Sequence, residues 1–242
     1  MFKIALNAGH YLKTSGKRCM KKLDKNETRE WWLNDRICDK IEKKLKSYDG
    51  YELLRIDDTT GATDVSLSNR TKKANAWGAD FWLGIHHNAG IKGGNGGGTV
   101  AYVYTKPTSE ELVWQKELYN AIIKKTGLKG NRATPLAKAN LHECRETNAP
   151  AVLIECAFMD SAVDVPILLT DDFADKVASA CVEVIVKRGK LTEKTIKEET
   201  IGTGKTYRVQ VGAYSKLANA EAMVKKLKAD GYDAIIKEEN KA

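Results

Sequence analysis

Histidine is scarce in this sequence: His10, His86, His87 and His142 are the four in 242 residues. Imidazole is the commonest metal ligand and titrates near neutral pH, so the placement of each is informative. His10 follows the apolar opening Phe2-Lys3-Ile4-Ala5-Leu6, and His86 closes the run Phe81-Trp82-Leu83-Gly84-Ile85. Both therefore fall at the C-terminal ends of strand-like segments, the edge that forms the ligand crevice of an open α/β sheet. A lone histidine reads as a buried imidazole bonded to backbone; two on one edge favour a shared ligand. Glu30 adds a carboxylate. It precedes Leu33, Ile37 and Ile41 at helical spacing, which puts it on their apolar stripe, where a carboxylate is costly unless paired or bound to a cation. An acidic residue interacting with the dipole of a first helical turn is the plainer reading, and Glu27 is a rival for either role. Glu155 ends the apolar run Pro150-Ala151-Val152-Leu153-Ile154, where desolvation raises a carboxyl pKa toward the range useful for proton transfer. A buried ion pair of Glu155 with Arg145 or Arg132 is the competing reading.

Taken together, two imidazoles and one carboxylate suit Zn²⁺, with a fourth position left for water as in catalytic rather than structural sites. Such an ion lowers the pKa of its water and polarises a carbonyl. Glu155, not a ligand, would take the proton from the water and pass it to a leaving nitrogen. The chemistry is amide hydrolysis.

These residues need a scaffold. Strand candidates at 3–8, 51–56, 81–86, 99–104 and 151–157 alternate with helical patterns at 29–47, 64–77, 109–126 and 172–187. In the first helix Leu33, Ile37, Ile41 and Leu45 recur every fourth residue. The alternation predicts an α/β fold: an open, twisted, mainly parallel sheet with helices on both faces. The glycine-rich stretch 89–98 lacks Gly-Lys-Ser/Thr and leads into a strand, so the phosphate-cradle reading fails. Residues 189–205 are polar and nearly core-free, a linker between a domain at 1–188 and a small β-α-β half-module at 206–242. In that module the strands are expected at 207–214 and 233–236, around a helix at 217–230.

The formal charge of +8 and pI near 9.1 favour polyanionic surroundings, whether nucleic acid, anionic membrane or anionic wall polymers. No RNA-binding aromatic motif or Walker loop accompanies it. The opening residues read as a strand rather than a secretory signal, and no run reaches the length of a membrane span. Synthesis in the cytoplasm, with release by another route, is the expectation. Five scattered cysteines without CxxC spacing argue against a disulfide framework or a zinc-cysteine cluster.

At this point the sequence resembles a known family, the zinc N-acetylmuramoyl-L-alanine amidases of bacterial autolysins and phage endolysins, over residues 2–188. Five motifs in order carry the resemblance: Ala8-Gly9-His10; Glu30-Trp31-Trp32-Leu33-Asn34; Ser66-Leu67-Ser68-Asn69-Arg70 with Ala74-Asn75; His86-His87-Asn88; and Pro150 to Asp160. The resemblance implies zinc ligation by His10, Glu30 and His86 and catalysis by Glu155; Asn88 and Arg145 are the candidate substrate contacts. Its Glu-x-x-x-Asn spacing selects Glu30 over Glu27, and His-x-Asn selects His86 over His87, whose side chain would point to the opposite face. The sequence departs from the family at His87, where a small residue is usual, and at Ala157, near a usual glycine. His142 lies where the family has an apolar strand and is read as groove-lining or structural. The implied substrate is peptidoglycan, at the amide joining N-acetylmuramic acid to L-alanine, in lysis or remodelling of the wall by a phage or host enzyme.

The tail resembles the first half of a SPOR repeat, through Val209-Gln210-Val211-Gly212-Ala213-Tyr214-Ser215 and Ala220-Glu221-Ala222. That family binds glycan strands. Pairing of two half-modules between copies of the chain is one expectation, since an exposed sheet edge permits it. Three other readings stand beside the amidase: a zinc peptidase acting on the stem peptide, a non-catalytic wall-binding protein, and a basic nucleic-acid binder with salt-sensitive affinity.

Overall fold

The computed structural model describes residues 1–194, 210–229 and 231–238. Residues 1–194 form one compact unit. Its elements run β1 (Phe2–Ala8), α1 (Glu30–Leu45), β2 (Tyr48–Asp49), β3 (Tyr51–Arg55), α2 (Leu67–Trp77), β4 (Phe81–Asn88), β5 (Val100–Val103), α3 (Ser109–Thr126), β6 (Leu136–Lys138), α4 (His142–Glu146), β7 (Ala151–Phe158), α5 (Val165–Leu168), α6 (Asp171–Gly189) and β8 (Thr192–Glu193).

Six strands form one sheet in the order β3-β1-β4-β7-β5-β6. β1 pairs in parallel with β3 and β4, β4 with β7, and β5 with β6; only β5 against β7 is antiparallel. Central strands in such a sheet are covered twice, which accounts for their apolar runs: Ile4 to Ala8, interrupted only by Asn7, and Phe81 to Ile85 are buried along their whole length. The main core lies on one face, where α1, α3 and α6 pack together over Leu6, Leu83, Val152 and Ile154. On the other face α2 and α4 pack together, and Ala74 of α2 joins Ala5, Trp82 and Ala151 in a smaller cluster. Sheet and helix layers thus follow the expected alternation.

Local signals set the helix ends. Thr108 and Glu111 form a reciprocal capping box at α3, and Ser66 caps α2 by accepting from the backbone of Asn69. In the glycine run, Gly98 has φ +93° and lies so close to Gly130 that an added Cβ would sit 2.4 Å from its Cα. Two backbones can cross there only without side chains. All five cysteines are free and buried.

Two expectations need correction. Residues 189–194 do not open a linker: α6 runs through Gly189, Leu191 is buried, and β8 pairs with β2, so the compact unit continues to Lys194. In the tail only a helix, α7 (Leu217–Ala229), is formed among the described residues. Residues 210–214 and 233–236 have no strand pairing, and the first part of the expected strand at 207–214 lies outside the described residues. A strand exists only through hydrogen bonds to a neighbour, and sequence propensity does not supply one.

Candidate metal centre

β1 and β4 end side by side, with Ala8 opposite Ile85, so the residues that follow them share the C-terminal edge of the sheet. His10 leaves β1 in a left-handed conformation, φ +68°. A non-glycine residue holds that conformation only when its surroundings enforce it. Arg70 does so here. Nearly fully buried, it donates from Nη2 to the His10 carbonyl (2.7 Å) and from Nη1 to the Ala8 carbonyl (2.7 Å) and Asn7 Oδ1 (2.5 Å). Gly9 is required between them: a Cβ there would lie 2.1 Å from Cε1 of His86. The Ala-Gly-His motif is thus a packing requirement of this sheet edge.

Glu30 begins α1 and is wholly buried, as its place on the Leu33-Ile37-Ile41 stripe requires. Its Oε1 lies 3.3 Å from His10 Nε2 and 3.3 Å from His86 Nδ1. Its Oε2 is buried without a hydrogen bond, with the Lys17 ammonium 3.6 Å away. One ligand atom from each of His10, Glu30 and His86 falls within 4.8 Å of the others, and this is the one such group among the described residues. Glu27, the rival carboxylate, points elsewhere and pairs with Arg18 (3.0 Å) and Lys21 (3.9 Å).

Charge balance in the cluster is tight. Burial opposes the ionised form of Glu30, but the imidazoles of His10 and His86 hold its carboxyl well below the ordinary range. Burial likewise opposes a charged His86, yet the carboxylates of Glu143 and Glu30 raise it to about 10. Glu155 is the lateral partner of His86 across the parallel β4–β7 pair, so the two side chains share one face of the sheet. Burial pushes its carboxyl up to about 7, against the lowering effect of His86. Its Oε2 is enclosed and without a hydrogen bond. The ion-pair alternative does not form. Arg145 is engaged by Glu146 and Asn140, and Arg132 lies over the Phe158 ring.

The remaining sequence candidates sit around this cluster. Asn88 ends β4, and its Oδ1 accepts from Ala89 N (2.8 Å). His142 reaches Thr71 Oγ1 at 3.3 Å and is not a member of the metal group. His87 points into the core, where its Nδ1 lies 2.8 Å from Asn34 Oδ1. Asn34 also donates to the Gly9 carbonyl (3.1 Å), so the Glu-x-x-x-Asn spacing serves to tie α1 to the loop carrying His10. Sequence reasoning missed Glu143. This buried residue of α4 has Oε2 3.4 Å from His86 Nε2, and its Oε1 accepts from Asn7 Nδ2. Asn7 did carry a signal, as a polar residue inside an apolar strand. Glu143 carried none.

A sequence profile described as N-acetylmuramoyl-L-alanine amidase matches residues 4–187. The chain belongs to that family. A SPOR domain profile matches residues 203–242. Over 191 residues the amidase is 31% identical to the sporulation-specific N-acetylmuramoyl-L-alanine amidase of Bacillus subtilis strain 168, covering 78% of this chain and 68% of that one. The endolysin of Bacillus phage SPP1 is 36% identical over 213 residues, 79% of this chain and 75% of the endolysin. Among solved structures, the catalytic domain of CwlV, an N-acetylmuramoyl-L-alanine amidase from Bacillus (Paenibacillus) polymyxa, superposes with a TM-score of 0.69 at 24% identity. The match covers 79% of this chain and all of that domain, and it shows a shared fold. No helix of the amidase among the described residues is long and apolar enough to cross a membrane.

Proposed function

We propose that this amidase is a zinc hydrolase that cleaves the amide between N-acetylmuramic acid and L-alanine of the peptidoglycan stem peptide. His10, Glu30 and His86 would hold the ion. The observation that carries the reading is the convergence of both imidazoles on Glu30 Oε1 at 3.3 Å, beside a buried Oε2 that makes no hydrogen bond. A His₂Glu donor set fits Zn²⁺ with a position left for water. When bound, the ion supplies a Lewis acid that polarises the amide carbonyl and acidifies the attacking water.

The other steps belong to the protein. Glu155 takes the proton from the water as the C–O bond forms, then delivers it to the leaving nitrogen as the C–N bond breaks. A carboxyl poised near 7 can act in both directions at neutral pH. Desolvation between β4 and β7 raises it toward that range. Asn88, two residues beyond His86 on the same edge, is the proposed contact for the stem-peptide backbone. Arg145, on the adjacent α4, is a second contact from its partly exposed position. A catalytic domain ending at Lys194 and a wall-binding module in the tail complete the assignment. The net charge of +8 supports retention on anionic wall polymers.

Digestion of purified peptidoglycan tests the reading. New L-alanine amino termini, without new D-amino acid ends, are expected. D-amino acid ends would instead make the protein a stem-peptide peptidase. Metal analysis should find one zinc per chain, lost on replacing Glu30 with Gln; zinc retained by Glu30→Gln would overturn the ligand set.

A further inference from the structure

The polar residues behind the two imidazoles form one connected path. It starts at His86, whose Nδ1 faces Glu30 and whose buried Nε2, without a hydrogen bond of its own, lies 3.4 Å from Glu143 Oε2. Glu143 Oε1 accepts from Asn7 Nδ2. Asn7 Oδ1 accepts from Arg70 Nη1, and Arg70 Nη2 reaches the His10 carbonyl. Glu143, Asn7 and Arg70 are all buried, at 4%, 0% and 2% exposure. A buried carboxylate is costly unless it is paired and hydrogen-bonded. Nothing in the hydrolytic chemistry uses Glu143, which stands behind His86 rather than within the His10-Glu30-His86 group.

We propose that Glu143 is a positioning residue for His86. On this view its carboxylate accepts the Nε2 proton, which leaves Nδ1 as the ligand nitrogen turned toward Glu30 and the metal. The proposal rests on the zinc reading above. A ligating histidine needs its other nitrogen protonated and oriented, and a carboxylate in that role raises the basicity of the ligand nitrogen. Three contacts restrict the ring: Gly9 lies against its face, Glu30 stands at Nδ1 and Glu143 at Nε2. Through Asn7 and Arg70, the same path holds the backbone of His10 in its left-handed conformation. One buried network thereby sets both imidazoles before any ion arrives. Leu141-His142-Glu143-Cys144-Arg145 then has a purpose as helix: α4 aims Glu143 at the sheet edge.

The full chain, stripped of metal and titrated with Zn²⁺ against a chromophoric chelator, provides the test. Wild type should bind one ion. Glu143→Ala should weaken binding by about 10- to 100-fold, while Glu143→Gln, which keeps a carbonyl acceptor, should recover most of the loss. Wild-type affinity in Glu143→Ala would overturn the proposal. Nitrogen-15 NMR of the zinc-loaded wild type supplies a readout that needs no variant: His86 should show a protonated Nε2 and a metal-bound Nδ1. Coordination through Nε2 would overturn the proposal while leaving the zinc reading intact. Wild type that binds no zinc would overturn the zinc reading itself, and this proposal with it.

Discussion

Two adjacent histidines on β4 face two regions of the molecule, the open sheet edge and the core beneath α1 and α6. Both are buried, His86 at 9% and His87 at 1% exposure, yet their imidazoles are driven in opposite directions. Burial tends to discharge each. At the edge, Glu143 and Glu30 overcome that tendency and raise His86 to about 10. In the core, burial prevails over the opposing effect of Glu30, Arg36 and His86 add to it, and His87 falls to about 3. Its partner there is the neutral amide of Asn34, with Phe173 nearby. Depth alone does not set the direction of an imidazole's shift; the charge of its neighbours does. The edge should therefore lose activity before stability when altered, and the core side the reverse.

The largest effect is expected at the edge. Glu155→Gln should lower kcat by about 10²- to 10⁴-fold, the usual contribution of a general acid/base, with zinc retained and the melting temperature held. Wall lysis at the wild-type rate would break the comparison. On the core side, His87→Ala should cost roughly 2–4 kcal/mol of unfolding free energy, from a cavity and an unpaired Asn34 carbonyl. Urea titration measures it, and zinc affinity measured in the folded range should change far less than for Glu143→Ala.

A third prediction concerns pH, in the metal-free protein. Glu155 is raised from an ordinary 4.5 to about 7 by burial, so the folded state prefers it protonated. The stability this contributes is complete below 4.5 and lost as pH rises through about 7. Glu155→Gln removes that loss. It should match wild type at pH 4 and exceed it at pH 8, by on the order of 3 kcal/mol at most for a shift of this size. Equal pH profiles in chelator would show that the carboxyl is not desolvated. The smallest effect is expected at Glu27, outside the cluster and paired with Arg18 and Lys21 at the surface. Glu27→Ala should change stability by less than about 1 kcal/mol and zinc affinity not at all. A large loss of zinc would mean that Glu27, not Glu30, belongs to the site.

Much of this contrast could be read before the fold was known. Glu30 was placed on a buried stripe by spacing alone, because a helix repeats its face every three to four residues. Strand alternation puts His86 and His87 on opposite faces. Glu155 was legible as a desolvated carboxyl from the apolar run around it, although its ion-pair alternative was equally legible. Only the position of Arg145 and Arg132 in the fold removed that alternative. Arg70 was recognised within a motif, but its work on the carbonyls of Ala8 and His10 was not, since backbone acceptors leave no trace in residue order.

The tail marks the opposite limit. Its helix was expected from an apolar face and forms as α7; its strands were expected from β-type residues, and the described ones stay unpaired. Local pattern carries a helix further than a strand, because a helix makes its hydrogen bonds internally and a strand needs a neighbour. What the sequence determined by itself is therefore periodic and local: the alternating architecture, the apolar stripes, and the order of His10, Glu30, His86 and Glu155 along it. What only the tertiary structure decided is convergence. Glu143 lies 57 residues from His86 and 136 from Asn7, and no periodicity spans such distances. Their meeting depends on α4 packing against α2 beside the edge of the sheet. The sign of each imidazole's shift was decided in the same way, by charges brought near from distant parts of the chain.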